Sequence, residues 1–164
     1  MSIDYVILIF IWIIGAFISI FFITKQQKKR FIFAALLFQS ITWLNSLIHL
    51  ELELIAFPIR EFPRATDVLF ATEYFLYPIL YGLYIIHEPK KHFLLRFIYL
   101  LVVVSGLVGL ELILVHFTNL VVYIHYAWYL EWIAFFIMFM LTNYLYHWFH
   151  KEYSFSENEE RMLQ

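Results

Sequence analysis

Ionisable side chains interrupt several long apolar stretches of this sequence, where burial disfavours charge. The polar and ionisable groups in question belong to Asn45, His49, Glu53, Glu73, Glu111, His125 and Glu131. Carboxyl groups bind cations and exchange protons, and imidazole adds metal ligation and proton transfer near neutral pH. These residue types therefore point to ligand or cation binding, to proton handling, or to a network that only holds helices together.

Helical spacing gathers these side chains into stripes on separate apolar segments. One stripe consists of Thr42, Asn45, His49 and Glu53, and a second consists of Glu73, Tyr77, Tyr81 and Tyr84. On a third segment Glu131 lies between Ala127 and Ala134, whose small side chains admit a neighbouring helix or water. We expect these faces to converge on one polar pocket that also contains Glu111 and His125.

A metal site is an alternative interpretation of the same residues. The weak candidate ligands are His49, His116 and His125, with the three glutamates Glu73, Glu111 and Glu131. HExxH and ExxH motifs are absent, and Glu111 and His116 stand five residues apart, which is not the spacing of one helix face. The chain has no cysteine, and no serine has a nucleophile-elbow context. The sequence predicts no metal, no cofactor and no enzyme activity.

The composition requires a membrane environment for the elements that carry these groups. Of the 164 residues, 63% are hydrophobic and 15% are charged, and the mean hydropathy is +0.78. Soluble domains have roughly 45–50% apolar and about 25% charged residues. A net charge of −2 gives no basic field for nucleic acid. The predicted partners are therefore the lipid bilayer and, within it, another membrane protein or further copies of this chain.

Five apolar runs are long enough to cross a bilayer, since a spanning helix needs about 20 residues. They cover residues 5–24, 31–57, 66–87, 97–117 and 120–148. Backbone amides in lipid must be satisfied within their own segment, so the predicted fold class is all-α, an integral membrane bundle of five helices. We predict a transmembrane domain at residues 1–153 and an acidic cytoplasmic tail at residues 154–164.

Basic residues predict the orientation of the bundle. Most lie in the links after the first and third helices or in the tail: Lys25, Lys28, Lys29, Arg30, Lys90, Lys91, Arg96, Lys151 and Arg161. The opposite side has Arg60 and Arg64, which with Asp67 form a predicted outer rim. The amino terminus is then outside and the carboxyl terminus is in the cytoplasm. In this orientation the ionisable side chains lie in the outer half of the bundle, and the inner half is almost free of them.

Prolines, small residues and aromatic residues predict further local features. Pro58 and Pro63 end the second helix, and Pro78 kinks the third about one turn earlier. Ser105, Gly106 and Gly109 form a patch that predicts a close helix contact. The aromatic residues Tyr123, Tyr126, Trp128 and Tyr129 are predicted mainly to anchor the outer membrane interface.

Short motifs in the carboxyl-terminal two thirds resemble those of a known family. They are Thr66-Asp67, Tyr77-Pro78, the Pro89–Lys91 link, Glu111, the run from Tyr123 to Trp128, and Glu131. The chain resembles an uncharacterised family of small five-pass membrane proteins from Bacillus- and Clostridium-type bacteria. Members of that family tend to have Gly and Asp where this chain has Ala127 and Glu131. The resemblance implies five helices, a bacterial plasma membrane, and functional interest in Asp67, Glu111, Trp128 and Glu131.

Three functions remain open at this point. The preferred one is an outward-facing polar pocket for sensing or ligand binding, or a subunit of a membrane complex. The second is a proton- or cation-coupled transporter, against which the apolar inner half counts. The third is a structural subunit whose carboxylates only form an interhelical network, with Arg60 and Arg64 neutralising Glu51, Glu53 or Asp67.

Overall fold

The regular structure of the described residues is helical apart from two very short strands. The computed structural model describes residues 3–89 and 92–162. The α helices are α1 (Ile3–Phe21), α2 (Lys28–Glu51), α3 (Tyr77–His87), α4 (Phe93–Phe117) and α5 (Trp128–Met162). A π-helical segment (Ala71–Leu76) leads directly into α3, and the strands are β1 (Ile55–Ala56) and β2 (Val122–Tyr123). The all-α prediction is confirmed.

In the part of the chain that the structure describes, four helices are long and apolar enough to cross a membrane, which supports the predicted membrane class. They are Ile3–Phe21, Lys28–Glu51, Phe93–Phe117 and Trp128–His150. The third predicted span, 66–87, is shorter in the structure, because helical residues begin only at residue 70, just before the π-helical segment. Its amino-terminal part consists of turns and bends that belong to the connection from α2.

Pro78 explains the irregular start of the third helix. Proline has no amide hydrogen, so the carbonyl one turn earlier loses its usual partner. The segment before Pro78 winds as a π helix, and the Tyr77 amide donates to the Thr72 carbonyl, five residues back. The helix is therefore irregular one turn before Pro78, where the sequence predicted a kink, and the irregularity is a π-helical segment.

The second helix ends six residues earlier than predicted, without a proline or glycine at its end. The amide of Leu54 donates to the His49 carbonyl at 2.9 Å, and the amide of Glu53 donates to the Leu50 carbonyl at 3.1 Å. These two bonds form a Schellman motif. Glu53 occupies its left-handed position with φ of 52°, a conformation that normally favours glycine.

The two strands join the connections at one end of the bundle. β1 and β2 pair antiparallel, with Ile55 opposite Tyr123 and Ala56 opposite Val122. This pairing explains why α5 begins at Trp128 and not near residue 120. We call residues 52–70 and 118–127 the strand end. The opposite end, formed by residues 22–30, 88–89, 92–96 and 146–150, is called the basic end.

Aromatic packing among α2, α3, α4 and α5 forms the main core. Phe38 stacks on Tyr81 with ring centroids 4.4 Å apart, and Phe139 meets Phe38 edge-on at 4.9 Å. α1 packs mainly against the π-helical segment, where Trp12 stacks on Phe75 at 4.3 Å. Large apolar side chains remain exposed along α1, α4 and α5, as expected of surfaces that face lipid.

The glycines differ in whether they permit a close approach of neighbouring helices. A Cβ atom at Gly82 would lie 2.6 Å from the Phe31 ring, so glycine lets α2 and α3 approach closely there. At Gly106 and Gly109 nothing lies within 4 Å of such an atom. In the described part of the chain the two glycines therefore make no close helix contact, while Ser105 of the same patch accepts a hydrogen bond from the Trp132 indole of α5 at 3.1 Å.

Candidate buried carboxyl site

Three carboxyl groups from three different elements lie buried near the strand end. Glu73 is on the π-helical segment, Glu111 on α4 and Glu131 in the first turn of α5. They are 8%, 3% and 3% exposed, respectively. Glu131 lies close enough to both of the other two for their charges to interact, so the three groups form one cluster. The expected convergence of these glutamates is present, but the cluster is covered and not open to solvent.

α2 holds Glu73 through two hydroxyl groups. The Ser46 hydroxyl donates to Glu73 Oε2 at 2.7 Å, and the Thr42 hydroxyl contacts the Glu73 carbonyl oxygen at 3.3 Å. All three residues are buried. The π-helical turn places Glu73 toward α2, because the wider turn shifts the register of the side chains that follow Phe70. The irregularity caused by Pro78 thus contributes to the position of a site residue.

Two tyrosines hold Glu111. The Tyr77 hydroxyl donates to Oε2 and the Tyr123 hydroxyl to Oε1, both at 3.0 Å. Tyr123 belongs to β2, so the strand pairing places its hydroxyl over the cluster. Burial, and then the charge of Glu111, raise the pKa of Tyr123, which keeps this phenol protonated as a donor.

Glu131 lies beside Glu111, and the two carboxyl groups are within hydrogen-bonding reach of each other. A carboxylate only accepts hydrogen bonds, so two carboxyls can pair only through a shared proton or a cation between them. The other feature of Glu131 is that its Oε2 atom has no hydrogen-bond partner in the described part of the chain. An unpaired buried oxygen of this kind is an available acceptor for a ligand.

His49 extends the cluster along α2. Its Nδ1 atom lies 3.3 Å from the Asn45 amide nitrogen, and its Nε2 atom lies 3.1 Å from the Tyr126 hydroxyl. With Asn45 donating to Nδ1, a neutral imidazole carries its proton on Nε2 and donates it to Tyr126. The Tyr126 hydroxyl also lies near Glu131. Asn45, His49 and Tyr126 therefore form a hydrogen-bonded chain that ends beside the carboxyl cluster.

No lysine or arginine balances this cluster in the part of the chain that the structure describes. The ion pairs found there join Arg60 to Asp67 and Glu88 to Arg96, and a weaker one joins His147 to Glu88. A charged carboxylate at a helix centre costs roughly 2.5–3.5 kcal/mol on insertion scales. Protons or an external cation must therefore offset the negative charge of three neighbouring carboxyls.

Two residues predicted for the pocket lie elsewhere. Glu53 is exposed because α2 ends at Glu51, so the helical spacing from His49 does not continue to it. His125 is exposed in the loop before α5, where its backbone amide contacts the Leu54 carbonyl. His116 is exposed on α4. Among the residues described, no three His, Asp or Glu side chains are arranged to hold a metal ion.

The predicted outer-rim charges lie at the strand end. Arg60 donates to the Asp67 carboxylate at 2.5 Å and to the Phe57 carbonyl at 2.8 Å. Asp67 is 78% exposed, so this pair contributes little stability. Arg64 is exposed. The ion pairs of the described residues do not connect Arg60 or Arg64 to Glu51 or Glu53.

Several functional contacts were not expected from the sequence. Tyr123 and Tyr126 were assigned to membrane anchoring, yet their hydroxyls point into the cluster, while Trp128 and Tyr129 are 57% and 54% exposed. Glu61 accepts from the Phe70 and Ala71 amides at 3.1 and 2.8 Å and thus caps the third helix. The only sequence signal for this cap was an acidic residue located shortly before the start of a helix.

Ionisable groups also meet at the end of the bundle opposite the carboxyl cluster. At the basic end Arg96 donates to Glu88 from Nε and Nη2, at 3.0 and 2.9 Å, and His147 lies beside both. Arg30 donates to the Tyr146 hydroxyl at 3.2 Å. Arg30 and Arg96 were assigned to links, but α2 begins at Lys28 and α4 at Phe93, so both residues lie within helices.

Comparisons with known proteins find no relative of this chain. No family model matches it, and no curated protein or solved structure shows significant similarity. The resemblance to a family of five-pass bacterial proteins therefore stays a prediction, and function must be inferred from the site.

Proposed function

We propose that this protein is a membrane-embedded binding or sensing module that takes up a primary ammonium cation at Glu73, Glu111 and Glu131. The proposal places the chain in a bacterial plasma membrane, with five spans, the amino terminus outside and the carboxyl terminus in the cytoplasm. The strand end then faces outward, and the ligand arrives from the extracytoplasmic side.

The observation that carries the proposal is the convergence of three buried carboxyls without a basic partner in the described chain. Such a cluster offers strong acceptors and no countercharge. A primary ammonium group supplies one positive charge and three N–H donors. Charge-assisted hydrogen bonds of this type are about twice as strong as neutral ones. The unpaired Oε2 of Glu131 is one available acceptor, and tyrosine hydroxyl oxygens add others.

The loop that carries β2 is the expected entrance. Tyr123 and Tyr126 cover the carboxyls from the strand end, and β2 is held to β1 by a pairing of only two residues on each strand. An isolated two-stranded pairing is marginally stable. Displacement of this loop exposes Glu111 and Glu131 and also uncovers its buried residues Leu120 and Val121, which pack at the strand end. Binding is thereby coupled to a movement at the extracytoplasmic surface, which is what a sensor requires.

Thermal unfolding of the purified protein in nanodiscs, titrated with methylammonium, tests the proposal. A ligand that binds only the folded state raises the unfolding temperature in proportion to ln(1 + [L]/Kd). We expect methylammonium to stabilise the wild type, and tetramethylammonium, which has no N–H donor, to have little effect. Glu131→Gln should abolish the methylammonium response, while the exposed-site control Asp67→Asn should keep it.

The competing structural interpretation gives a different result. If the carboxyls only hold the helices together, Glu131→Gln changes the unfolding temperature of the free protein, and neither cation shifts the wild type. That outcome would refute the binding proposal.

Proton-coupled transport is the second candidate, because a row of tyrosines on α3 links the two ends. Tyr77 bonds to Glu111, Tyr81 has a buried hydroxyl without a partner in the described chain, and Tyr84 donates to Glu88 at 3.3 Å. The Asn143 amide donates to the Tyr84 hydroxyl at 2.8 Å. Polar stations thus continue into the half that the sequence had suggested to be apolar.

Proteoliposomes with an enclosed pH-sensitive dye distinguish this candidate from simple binding. A transporter moves protons down an imposed gradient faster than empty vesicles do, and Tyr81→Phe slows it by removing the central hydroxyl. Proton movement equal to that of empty vesicles, both without and with methylammonium as the co-transported substrate, would eliminate the candidate while leaving ammonium binding intact.

A further inference from the structure

A groove between α4 and α5 opens at the basic end, far from the carboxyl cluster. Its volume is about 560 Å³. Its apolar lining consists of Phe93, Phe97, Leu100, Met140, Tyr144 and Trp148. Phe93, Tyr144 and Trp148 are strongly exposed for apolar side chains, at 83%, 71% and 46%. The groove thus presents an apolar channel along two helices that are long enough to cross a membrane.

Polar groups close one end of this groove and connect it to a second cavity. Glu88, Arg96 and His147 line both spaces, and the second cavity, of about 290 Å³, is also lined by Arg30 and His150. The combined site is therefore amphipathic. One part offers aromatic and aliphatic contacts, and the other offers guanidinium and imidazole donors.

The charge of the polar part is positive. Glu88 is the acidic residue of both linings, and Arg96 already neutralises it through two hydrogen bonds. Arg30 forms one hydrogen bond with the described residues, from Nε to Tyr146, so its two terminal nitrogens point to no protein acceptor there. A guanidinium with two available terminal donors matches the geometry of phosphate oxygens. His147 and His150 add further nitrogen atoms at the same place.

We propose that this site binds one anionic phospholipid, with an acyl chain in the α4–α5 groove and the phosphate beside Arg30. The inference does not depend on the function of the carboxyl cluster. Both lipid classes carry the phosphate, so the selection comes from the rest of the headgroup. The quaternary ammonium of a zwitterionic lipid is repelled by Arg30 and Arg96, and Glu88, the acidic residue of the described lining, is already paired with Arg96. The predicted location is at the cytoplasmic leaflet, where anionic lipids attract basic segments by about 1 kcal/mol per Lys or Arg.

Native mass spectrometry of the full chain, released from detergent, measures the binding directly. The probes are phosphatidylglycerol and phosphatidylcholine with identical acyl chains. We expect the wild type to retain one phosphatidylglycerol with at least tenfold higher affinity than phosphatidylcholine. Arg30→Gln should reduce that preference to threefold or less, since it removes a charged hydrogen-bond donor. Arg64→Gln, an exposed arginine at the strand end, should leave the preference unchanged.

A photoreactive phosphatidylglycerol with a diazirine in its acyl chain gives a test that needs no variant. Cross-links mapped by peptide mass spectrometry should concentrate on residues 93–100 and 140–148. An even distribution over the exposed faces, including α1, would show ordinary solvation by lipid and overturn the proposal. Equal retention of the two lipids by the wild type would overturn it as well, as would an undiminished preference in a folded Arg30→Gln variant.

Discussion

Glu61 is the clearest place to test how the strand end is held together. Its carboxylate accepts three hydrogen bonds: from the Ala71 amide at 2.8 Å, the Phe70 amide at 3.1 Å and the Trp12 indole at 3.3 Å. The two amides are unsatisfied donors at the start of the third helix. Glu61 thus caps that helix from outside its own turn and also ties it to α1.

The expected effect of Glu61→Ala follows from these contacts. Loss of a helix cap costs about 0.5–2 kcal/mol, and loss of a negative charge at a helix amino terminus costs about 0.3–1 kcal/mol. Because water can reach the freed amides at this partly exposed position, we expect about 2 kcal/mol in total. Glu61→Gln keeps one neutral acceptor, so we expect it to lose about half as much.

Equilibrium unfolding in mixed detergent micelles, followed by circular dichroism, measures these differences. Glu51→Ala is the matched control, because Glu51 is an exposed glutamate at the end of α2. We expect the control to change stability by at most about 0.5 kcal/mol, as is usual for surface sites. A Glu61→Ala variant as stable as this control would refute the capping role, and so would equal losses in the two Glu61 variants.

Two further predictions concern the end of α2 and the basic end. Glu53→Gly should raise the free energy of unfolding by about 0.5–1 kcal/mol, because glycine adopts the left-handed position of the Schellman motif without strain; a loss of stability in the same unfolding assay would contradict that assignment. Burial raises the pKa of Glu88, but hydrogen bonds from His147 and Arg96 outweigh it, so its pKa lies below the ordinary value of 4.5. The carboxylate therefore stabilises the fold above about pH 4.5, and this contribution is lost as the pH falls through the lowered pKa. Unfolding measured between pH 3 and 7 should show this acid loss in the wild type and a smaller one in Glu88→Gln, and equal acid profiles would contradict the role of the pair.

The membrane class and the helices were predictable because apolar runs of about 20 residues have few alternatives. The convergence of Glu73, Glu111 and Glu131 was also predictable, since charged groups in apolar helices face the bundle interior. Pro78 predicted an irregular third helix, because proline has no amide hydrogen to donate. These inferences rest on local sequence and on the high free-energy cost of placing unpaired polar or charged groups in lipid.

The helix ends and the loop contacts were not predictable in the same way. α2 stops at Glu51 through backbone bonds alone, with Glu53 in a conformation that its side chain does not favour. Tyr123 turns inward because β2 pairs with β1, a contact between segments more than sixty residues apart in the chain. Arg96 and His147, 51 residues apart, meet only after both helices have packed. Tertiary pairing decided each of these positions.

Carbodiimide modification of Glu73, Glu111 and Glu131, resolved by peptide mass spectrometry, tests the central proposal most directly. The reagent should be applied to the protein in nanodiscs with and without methylammonium. The activated carboxyl either rearranges to an N-acylurea or couples to methylamine with release of the urea, so modification is scored as the sum of the N-acylurea and N-methylamide products. If the three carboxyls form one cation site, methylammonium protects all three together, tetramethylammonium does not, and the exposed Asp67 is modified equally in every sample. Modification of the three glutamates that is unchanged by methylammonium, or protection of one of them alone, would contradict a shared site.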